Sequence, residues 1–163
     1  MVSDLIDRVR RQWGEVHPDL DTSGMAVIAR VLRLASLIRR DTDDLLAGHE
    51  LTRSEFDVLC ALRRNRVLNP SQISREMLAS GAAITKRLDR MTRLGLVSRT
   101  TSERDRRVVQ VRLTDAGRTL IDDLLPKQLA LERAALVNLP DAQRAQLASL
   151  LGVMLQTVEG VSS

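Results

Sequence analysis

Apolar side chains recur every three or four residues along most of the chain, which is the spacing of amphipathic helices. Pro18 marks the end of the first such stretch, because proline disfavours helical backbone in the residue before it. Thr52 and Glu55 have the spacing of a capping box and mark another helix start. The pattern predicts seven helices, over about residues 3–16, 23–46, 53–64, 70–78, 82–94, 115–137 and 141–158.

The period changes after the fifth helix. Two β-rich runs, residues 96–101 and 108–113, flank a polar loop and predict a hairpin. Just before it, the fourth and fifth helices are separated only by a break at Ser80 and Gly81, as in a helix-turn-helix. The sequence therefore predicts a mainly α fold with a small β-hairpin directly after a helix-turn-helix.

Composition excludes several classes of protein. The chain has 163 residues, enough for one domain with a sizeable core. Cys60 is its only cysteine, which excludes a disulfide framework and a cysteine-based zinc site. His17 and His49 are too few for most histidine metal sites and do not have helical ligand spacing. No phosphate loop or nucleophile–base pair has a recognised spacing, so we expect no enzyme activity, metal site or cofactor.

The chain also lacks the signals of membrane insertion and export. No apolar run approaches the ~18–20 residues that a membrane-spanning helix needs. The N-terminal residues lack the continuous apolar core of a signal peptide. We therefore expect a cytoplasmic protein without a membrane partner.

The positive charge is concentrated in one segment. The whole chain has a net charge of +4. Residues 82–112 hold nine basic and three acidic residues, a net +6, so the remaining residues sum to −2. A solvated charged face is the common explanation of such a run, but this one coincides with the helix-turn-helix and its hairpin. That coincidence favours binding to the phosphate backbone of double-stranded DNA.

The fifth helix divides into an apolar and a polar arc when its residues are placed about 100° apart. Ile84, Leu88, Met91 and Leu94 form the apolar arc and are expected to pack on the body of the protein. A helix in the major groove presents its N-terminal residues to base edges and its long basic side chains to phosphates. The expected DNA contacts are Thr85 and Lys86 at base edges, Arg90 and Arg93 at phosphates, and Arg104, Arg106 and Arg107 of the hairpin at phosphates or in a narrow minor groove.

Arg87 does not fit this division, because it falls inside the apolar arc between Met91 and Leu94. A guanidinium stays protonated, and burying it without an anion is unfavourable. We therefore expect an acidic side chain or an anionic ligand to meet Arg87.

Three stretches of the sequence resemble the MarR family of winged-helix regulators. They are residues 84–99, residues 103–107 with an Asp-x-Arg wing pattern at Asp105 and Arg107, and residues 111–117 with the pattern Leu-Thr-x-x-Gly. The resemblance extends from about residue 25 to the end of the chain. It implies a winged helix-turn-helix in an interlocked homodimer that reads a pseudo-palindromic operator.

The resemblance also implies how the chain is divided. Residues 1–163 would form a single MarR-type domain, with the DNA-binding lobe at 51–113. The dimerisation region would comprise residues 19–48, residues 114–160 and an added N-terminal helix, residues 1–18.

This added helix resembles the urate-responsive branch of the family, which includes PecS and HucR. In that branch four residues form the ligand site: a Trp on the added helix, an Asp on the helix before the helix-turn-helix, an Arg on the recognition helix and an Arg on the first wing strand. The matching residues are Trp13, Asp57, Arg87 and Arg99. Asp57 would then be the acidic partner of Arg87.

Each of these assignments has a structural alternative. Asp57 can pair with Arg53 or Arg64 on its own helix. Trp13 can belong to the core of an amphipathic helix, and Arg99 can be one more phosphate contact in a basic hairpin.

The expected function is a transcriptional repressor that a small organic anion, such as urate, releases from its operator. One alternative is a MarR-type regulator of a phenolic, xenobiotic or oxidant response, in which Trp13 and Asp57 are structural. Others are an activator and a non-specific architectural DNA-binding protein. Some relatives sense oxidants through cysteine, but Cys60 lies in the middle of a helix among apolar residues, where cysteine is usually inert packing.

Overall fold

The computed structural model describes residues 3–101 and 109–161. The hairpin arginines at 104, 106 and 107, predicted to contact DNA, lie outside these residues. Within the described ranges the elements follow the predicted order of five helices, a hairpin and two helices. They are α1 (Leu5–Val16), α2 (Ser23–Ala47), α3 (Arg53–Asn65), α4 (Pro70–Glu76), α5 (Gly81–Arg93), β1 (Val97–Thr101), β2 (Val109–Leu113), α6 (Asp115–Ala135) and α7 (Asp141–Val161).

Local signals set several of these boundaries. The predicted capping box is confirmed at α3, where Glu55 Oε2 accepts from the backbone N–H of Thr52 at 2.9 Å and Thr52 Oγ1 accepts from that of Glu55 at 3.3 Å. Gly95 ends α5 with φ of 69°, a left-handed conformation that glycine adopts without strain. Helix α4 ends at Glu76, earlier than the predicted residue 78, because Leu78 itself has a positive φ of 48°.

The hydrophobic core lies under the helix-turn-helix. It joins the inner faces of α3, α4 and α5 to the hairpin and to the first half of α6. Its fully buried side chains include Leu46, Val58, Leu59, Leu62, Ile73, Ile84, Leu88, Met91, Val111, Ile121 and Leu124. The core therefore fixes the helix-turn-helix and the hairpin to each other as one lobe.

Gly117 is where the hairpin meets α6 most closely. Thr114 caps α6 by accepting from the Gly117 N–H at 3.1 Å, and its own hydroxyl donates to the Gly95 carbonyl at 2.6 Å. The Thr114 N–H donates to the Leu96 carbonyl at 3.1 Å. A Cβ on Gly117 would overlap that carbonyl oxygen and stand 2.9 Å from its carbon. The Leu-Thr-x-x-Gly pattern thus marks a place where two backbones touch.

The strands of the hairpin pair antiparallel, with Arg99 opposite Val111 and Ser98 opposite Arg112. Since side chains alternate along a strand, Arg99 shares the inner face with buried Val111, and Arg112 lies on the outer face. Leu68 adds a short bridge to Val111, with N–H to carbonyl distances of 3.2 and 2.8 Å.

Helix α1 is joined to α2 by few contacts within one chain. Ile6 is its one buried side chain among the described residues. Arg30 of α2 donates to Asp4 at 2.8 Å and to Asp7 at 2.6 Å. Hydrogen bonds from Arg30 are the main reason that the pKa of each carboxyl lies below its usual value. Within one chain, α1 is therefore attached by one buried apolar side chain and by ion pairs at the surface.

Long apolar faces outside this lobe are exposed in the single chain. Helix α7 has no buried residue among those whose side chains are described. The exposed large side chains of α1, α2, α7 and the end of α6 include Leu5, Trp13, Val16, Val27, Ile28, Leu32, Leu34, Leu37, Leu129, Leu136, Leu147, Leu150, Leu151, Val153 and Leu155. Across the described ranges, no helix combines the length and the apolar character that a membrane crossing requires.

Candidate DNA-binding face and ligand site

The inner face of α5 matches its predicted apolar arc, with one exception. Ile84, Leu88 and Met91 are buried. Leu94 was expected to pack beside them but is 40% exposed, because it stands at the C-cap where the helix leaves the core. The opposite face of α5 is left to solvent.

Three of the predicted DNA contacts lie on this exposed face: Thr85, Lys86 and Arg93. The Thr85 hydroxyl donates to the Gly81 carbonyl at 3.0 Å, one turn back in the helix. A cleft of about 460 Å³ runs between α4 and the start of α5, and Thr85 forms part of its wall together with Pro70, Ser71, Ser74, Arg75 and Gly81. The outer face of α5 thus combines free basic side chains with a groove beside its first turn.

Arg90, also predicted to contact phosphate, is held by the protein itself. Its Nη1 donates to both carboxylate oxygens of Glu55 at 2.6 Å, and its Nη2 donates to the Glu50 carbonyl at 2.6 Å. Glu55 has only 3% of its side chain exposed. Burial raises the pKa of the Glu55 carboxyl, but hydrogen bonds from Arg90 and Thr52 outweigh it, and the net pKa lies below the usual value. This ion pair ties α5 to the start of α3.

Arg87 is half-buried on α5, as its place in the arc suggested. It makes no hydrogen bond or ion pair with any residue that the structure describes. Asp57, the partner expected from the resemblance, instead accepts from Arg53 Nε at 3.0 Å, four residues earlier on α3. The expected Arg87–Asp57 pair is therefore replaced by the local pair that was its alternative, because Arg53 reaches Asp57 across one helical turn.

Arg99 lies at the junction of β1 and α5. Its Nη2 forms an ion pair with Asp89 Oδ1 at 2.8 Å and donates to the Thr85 carbonyl at 3.5 Å. Its Nε is buried and finds no acceptor among the described residues. A buried N–H without a partner is unfavourable, and an anion that reached it would accept a charged hydrogen bond.

Trp13 is 41% exposed and stacks on His17, with ring centroids 5.9 Å apart. The two rings line an open cleft of about 490 Å³ with Val16, Pro18, Asp19 and Leu20. Helix α1 packs against α2 within the chain. The four residues expected to form the ligand site are thus split between this cleft and the α3–α5–β1 lobe.

Cys60 is a half-buried thiol. Burial is the main reason that its pKa rises to about 11, with the nearby Asp57 carboxylate adding to the effect. At neutral pH the thiol is protonated, whereas oxidant-sensing cysteines react as thiolates. The environment of Cys60 thus favours packing over redox sensing.

Sequence reasoning misses two acidic residues that organise this face. The sequence pattern marks Glu55 only as a cap residue, although it also binds Arg90. Asp89 enters the sequence argument only as a charge, although it binds Arg99. Within the described residues, no group of three or more His, Cys, Asp or Glu side chains is arranged to hold a metal ion.

Comparison with known proteins identifies the family. The MarR family profile matches residues 51–109. The chain is 35% identical to the HTH-type transcriptional regulator PecS of Dickeya dadantii over 154 residues, which are 93% of this chain and 90% of PecS. This similarity confirms the predicted resemblance.

Two solved structures are similar in fold. Mutant MarR C80S from E. coli complexed with operator DNA is 25% identical with a TM-score of 0.66, over 94% of this chain and 99% of that chain. Bordetella bronchiseptica BpsR, whose DNA binding is regulated by 6-hydroxynicotinic acid, is 25% identical with a TM-score of 0.69, over 78% of this chain and 91% of that chain. Together with the winged helix-turn-helix described above, these findings show that the protein is a DNA-binding transcriptional regulator, not an enzyme, and that it belongs to the MarR family.

Proposed function

We propose that the protein is a homodimeric repressor that binds a pseudo-palindromic operator and is released by a small organic anion, with urate as the first candidate. The observation that carries the ligand response is that Arg87 and Arg99 are both half-buried and that neither the guanidinium of Arg87 nor the Nε of Arg99 meets an acceptor among the described residues. The exposed basic face of α5 supports the DNA-binding part of the proposal.

The DNA interface is proposed to centre on the outer face of α5. Thr85 and Lys86 lie near the start of α5, where we expect contacts to base edges, and Arg93 lies near its end, where we expect a phosphate contact. Arg90 remains a candidate phosphate contact only if DNA competes with Glu55 for its guanidinium.

The operator contact is tested by selecting binding sites from random double-stranded DNA and measuring affinity against salt. We expect a palindromic consensus, because two identical lobes read two half-sites. Arg93→Ala should flatten the dependence of log K on log salt by about 2 for the dimer, because one phosphate contact is lost in each of the two lobes. Lys86→Ala should reduce the preference for the selected site. Equal affinity for random competitor DNA would instead indicate an architectural protein.

The second copy of the chain is proposed to cover the apolar faces of α1, α2, α6 and α7. Monomers rarely expose contiguous apolar patches of this extent. A helix that is apolar on most of its surface, as α7 is, normally packs against other helices. The proposed dimerisation region comprises residues 1–18, 19–48 and 114–160.

Sedimentation of the full chain should give a dimer at micromolar concentration. Leu151→Glu, on the apolar stripe of α7, should shift it to monomer, since the new charge would be buried in the interface. Gln156→Glu adds the same charge on the opposite side of the helix and should leave the dimer intact. Wild-type protein that sediments as a monomer would contradict the proposed interface.

The ligand is proposed to displace Asp89 from Arg99. In the free protein this ion pair joins the wing strand β1 to α5. An anion held by Arg87 and Arg99 would take its place, and the ring of a flat ligand would lie against Trp13 of a helix brought close in the dimer. Release of Asp89 would remove the ion pair between α5 and β1, and a small rotation of the lobe would then change the spacing of the two recognition helices. Asp57 would remain paired with Arg53 and would not bind Arg87.

Urate titrated into the complex with the selected operator should release the DNA. Arg87→Ala and Arg99→Gln should require at least tenfold more urate, because each removes a charged donor to the anion. Arg8→Ala removes the same charge from an exposed site and should respond like wild type. If 6-hydroxynicotinic acid releases the operator DNA and urate does not, the anion site stands but urate is not its ligand. Release of Arg87→Ala at the wild-type urate concentration would reject the site.

A further inference from the structure

A second arginine-lined cleft lies on the other side of the hairpin. It has a volume of about 380 Å³ and is bounded by the end of α3, the end of β2 and the first turn of α6. Four of the residues that line it are arginines, together with Leu62 and Leu113: Arg63, Arg66, Arg112 and Arg118. Arg112 projects from the outer face of β2, opposite to the face that carries Arg99, so the two sites are separate.

The acidic residues nearby neutralise this cleft only in part. Asp122 holds Arg63 through two hydrogen bonds, at 2.7 and 3.2 Å. Arg118 reaches the fully exposed Asp115 at 3.4 Å. Arg112 donates to the neutral side chain of Gln110 at 3.2 Å, and Arg66 has no side-chain partner in the described ranges. Two guanidiniums are thus left without an acidic partner there, and arginine cannot lose its charge.

The backbone at Arg66 is strained. Its φ of 63° and ψ of −45° place it at the centre of a tight γ-turn, closed by the Val67 N–H donating to the Asn65 carbonyl at 2.7 Å. This γ-turn is rare for residues with a Cβ, whereas glycine adopts positive φ easily. The bridge between Leu68 and Val111 holds the chain just after the turn. The fold therefore keeps an arginine where glycine would be less strained.

We propose that this cleft binds the phosphate group of a small polyanion, such as a phosphorylated metabolite. Arg66 and Arg112 supply the guanidiniums that have no acidic partner in the described ranges, and their paired N–H groups match phosphate oxygens. Arg63, fixed by Asp122, and Arg118 on α6 complete a wall of positive charge. Retention of strain at a position where the side chain has no structural partner is typical of binding sites. An anion held here connects α3, β2 and α6.

Calorimetric titration of the full dimer with pyrophosphate, at fixed ionic strength, tests the proposal. We expect one saturable site per chain. Arg112→Ala should weaken binding about tenfold, because it removes charged hydrogen bonds. Arg8→Ala, which removes an exposed arginine on α1, should bind as wild type does. Equal, non-saturating heats from all three proteins would show only a solvated charged face and overturn the proposal.

Arg66→Gly separates binding from stability. This variant should unfold at the same temperature as wild type or higher, since the turn loses its strain, and yet bind pyrophosphate at least tenfold more weakly. Weaker binding together with lower stability would contradict the argument from strain. A further titration in saturating operator DNA, which assumes the proposed DNA binding, identifies the source of the phosphate. Unchanged pyrophosphate affinity is expected, whereas exclusion by DNA would reassign the cleft to a backbone phosphate of the operator.

Discussion

Gly117→Ala should destabilise the protein by about 3 kcal/mol or more, because its Cβ would overlap the Leu96 carbonyl. The atoms that collide belong to two backbones, so no side-chain rotation can relieve the overlap. Either α6 or the turn before β1 has to move, which breaks the hydrogen bond from the Thr114 N–H to Leu96. For a chain of this size the melting temperature should fall by roughly 6–12 °C.

Thermal unfolding at one fixed chain concentration measures this effect, since the stability of the proposed dimer would depend on concentration. Gly14→Ala is the matched control, because a Cβ there meets nothing within 4 Å inside α1. Alanine favours helix over glycine by about 0.5–1 kcal/mol, so this control should melt at the wild-type temperature or slightly above it. Equal melting of Gly117→Ala and wild type would show that α6 and the hairpin are not in backbone contact.

Removing either partner of the Glu55–Arg90 pair should also lower stability, but by different amounts. Glu55→Gln should cost about 2 kcal/mol, because charged hydrogen bonds become neutral ones and Arg90 still reaches solvent. Arg90→Met should lower stability more, since it leaves a buried carboxylate without its cation. Arg93→Met, on the exposed face of the same helix, should change stability little.

The pH dependence identifies the pair as the cause. The pKa of Glu55 lies below its usual value in the folded protein, so its contribution is present above the unfolded pKa and is lost as the pH falls through the folded pKa. In Arg90→Met the hydrogen bonds from Thr52 remain but those from Arg90 are lost, so the pKa of Glu55 rises relative to the wild type and the deficit should be largest at neutral pH and shrink in acid. Urea unfolding at pH 7 and pH 4 measures both. The double variant that combines Arg90→Met with Glu55→Gln should be more stable than Arg90→Met alone. Equal or lower stability would show that the unpaired Glu55 carboxylate is not the cause of the deficit.

The order of the elements was predictable from the sequence because it is carried by local patterns. The helical period, the Thr52–Glu55 cap and the glycine after α5 each act within a few residues, and the structure retains all three. Burial of Ile84, Leu88 and Met91 followed from the same period. Helices and strands whose bounds depend on residues close in sequence could therefore be predicted.

The charge pairing was less predictable, because several acids compete for each arginine. Asp57 pairs with Arg53, one turn away, and not with the more distant Arg87. Arg90 binds Glu55 across 35 residues, a contact that no periodicity contains. Cap residues already explained by their own helix gave no sign of a second role. The strained turn at Arg66 was likewise invisible, since nothing in the letters Asn-Arg-Val demands a positive φ.

The ion pairs that join α1 to α2 have a consequence for any effector that uses Trp13. Arg30 and its two aspartates are largely exposed, so salt weakens their attraction over the ~10 Å Debye length of 0.1 M solution. Within a chain, the helix that carries Trp13 is then held less firmly to α2 as ionic strength rises. This effect is separate from the loss of DNA affinity in salt. The effector concentration needed for the proposed response should therefore differ between dilute buffer and cellular salt.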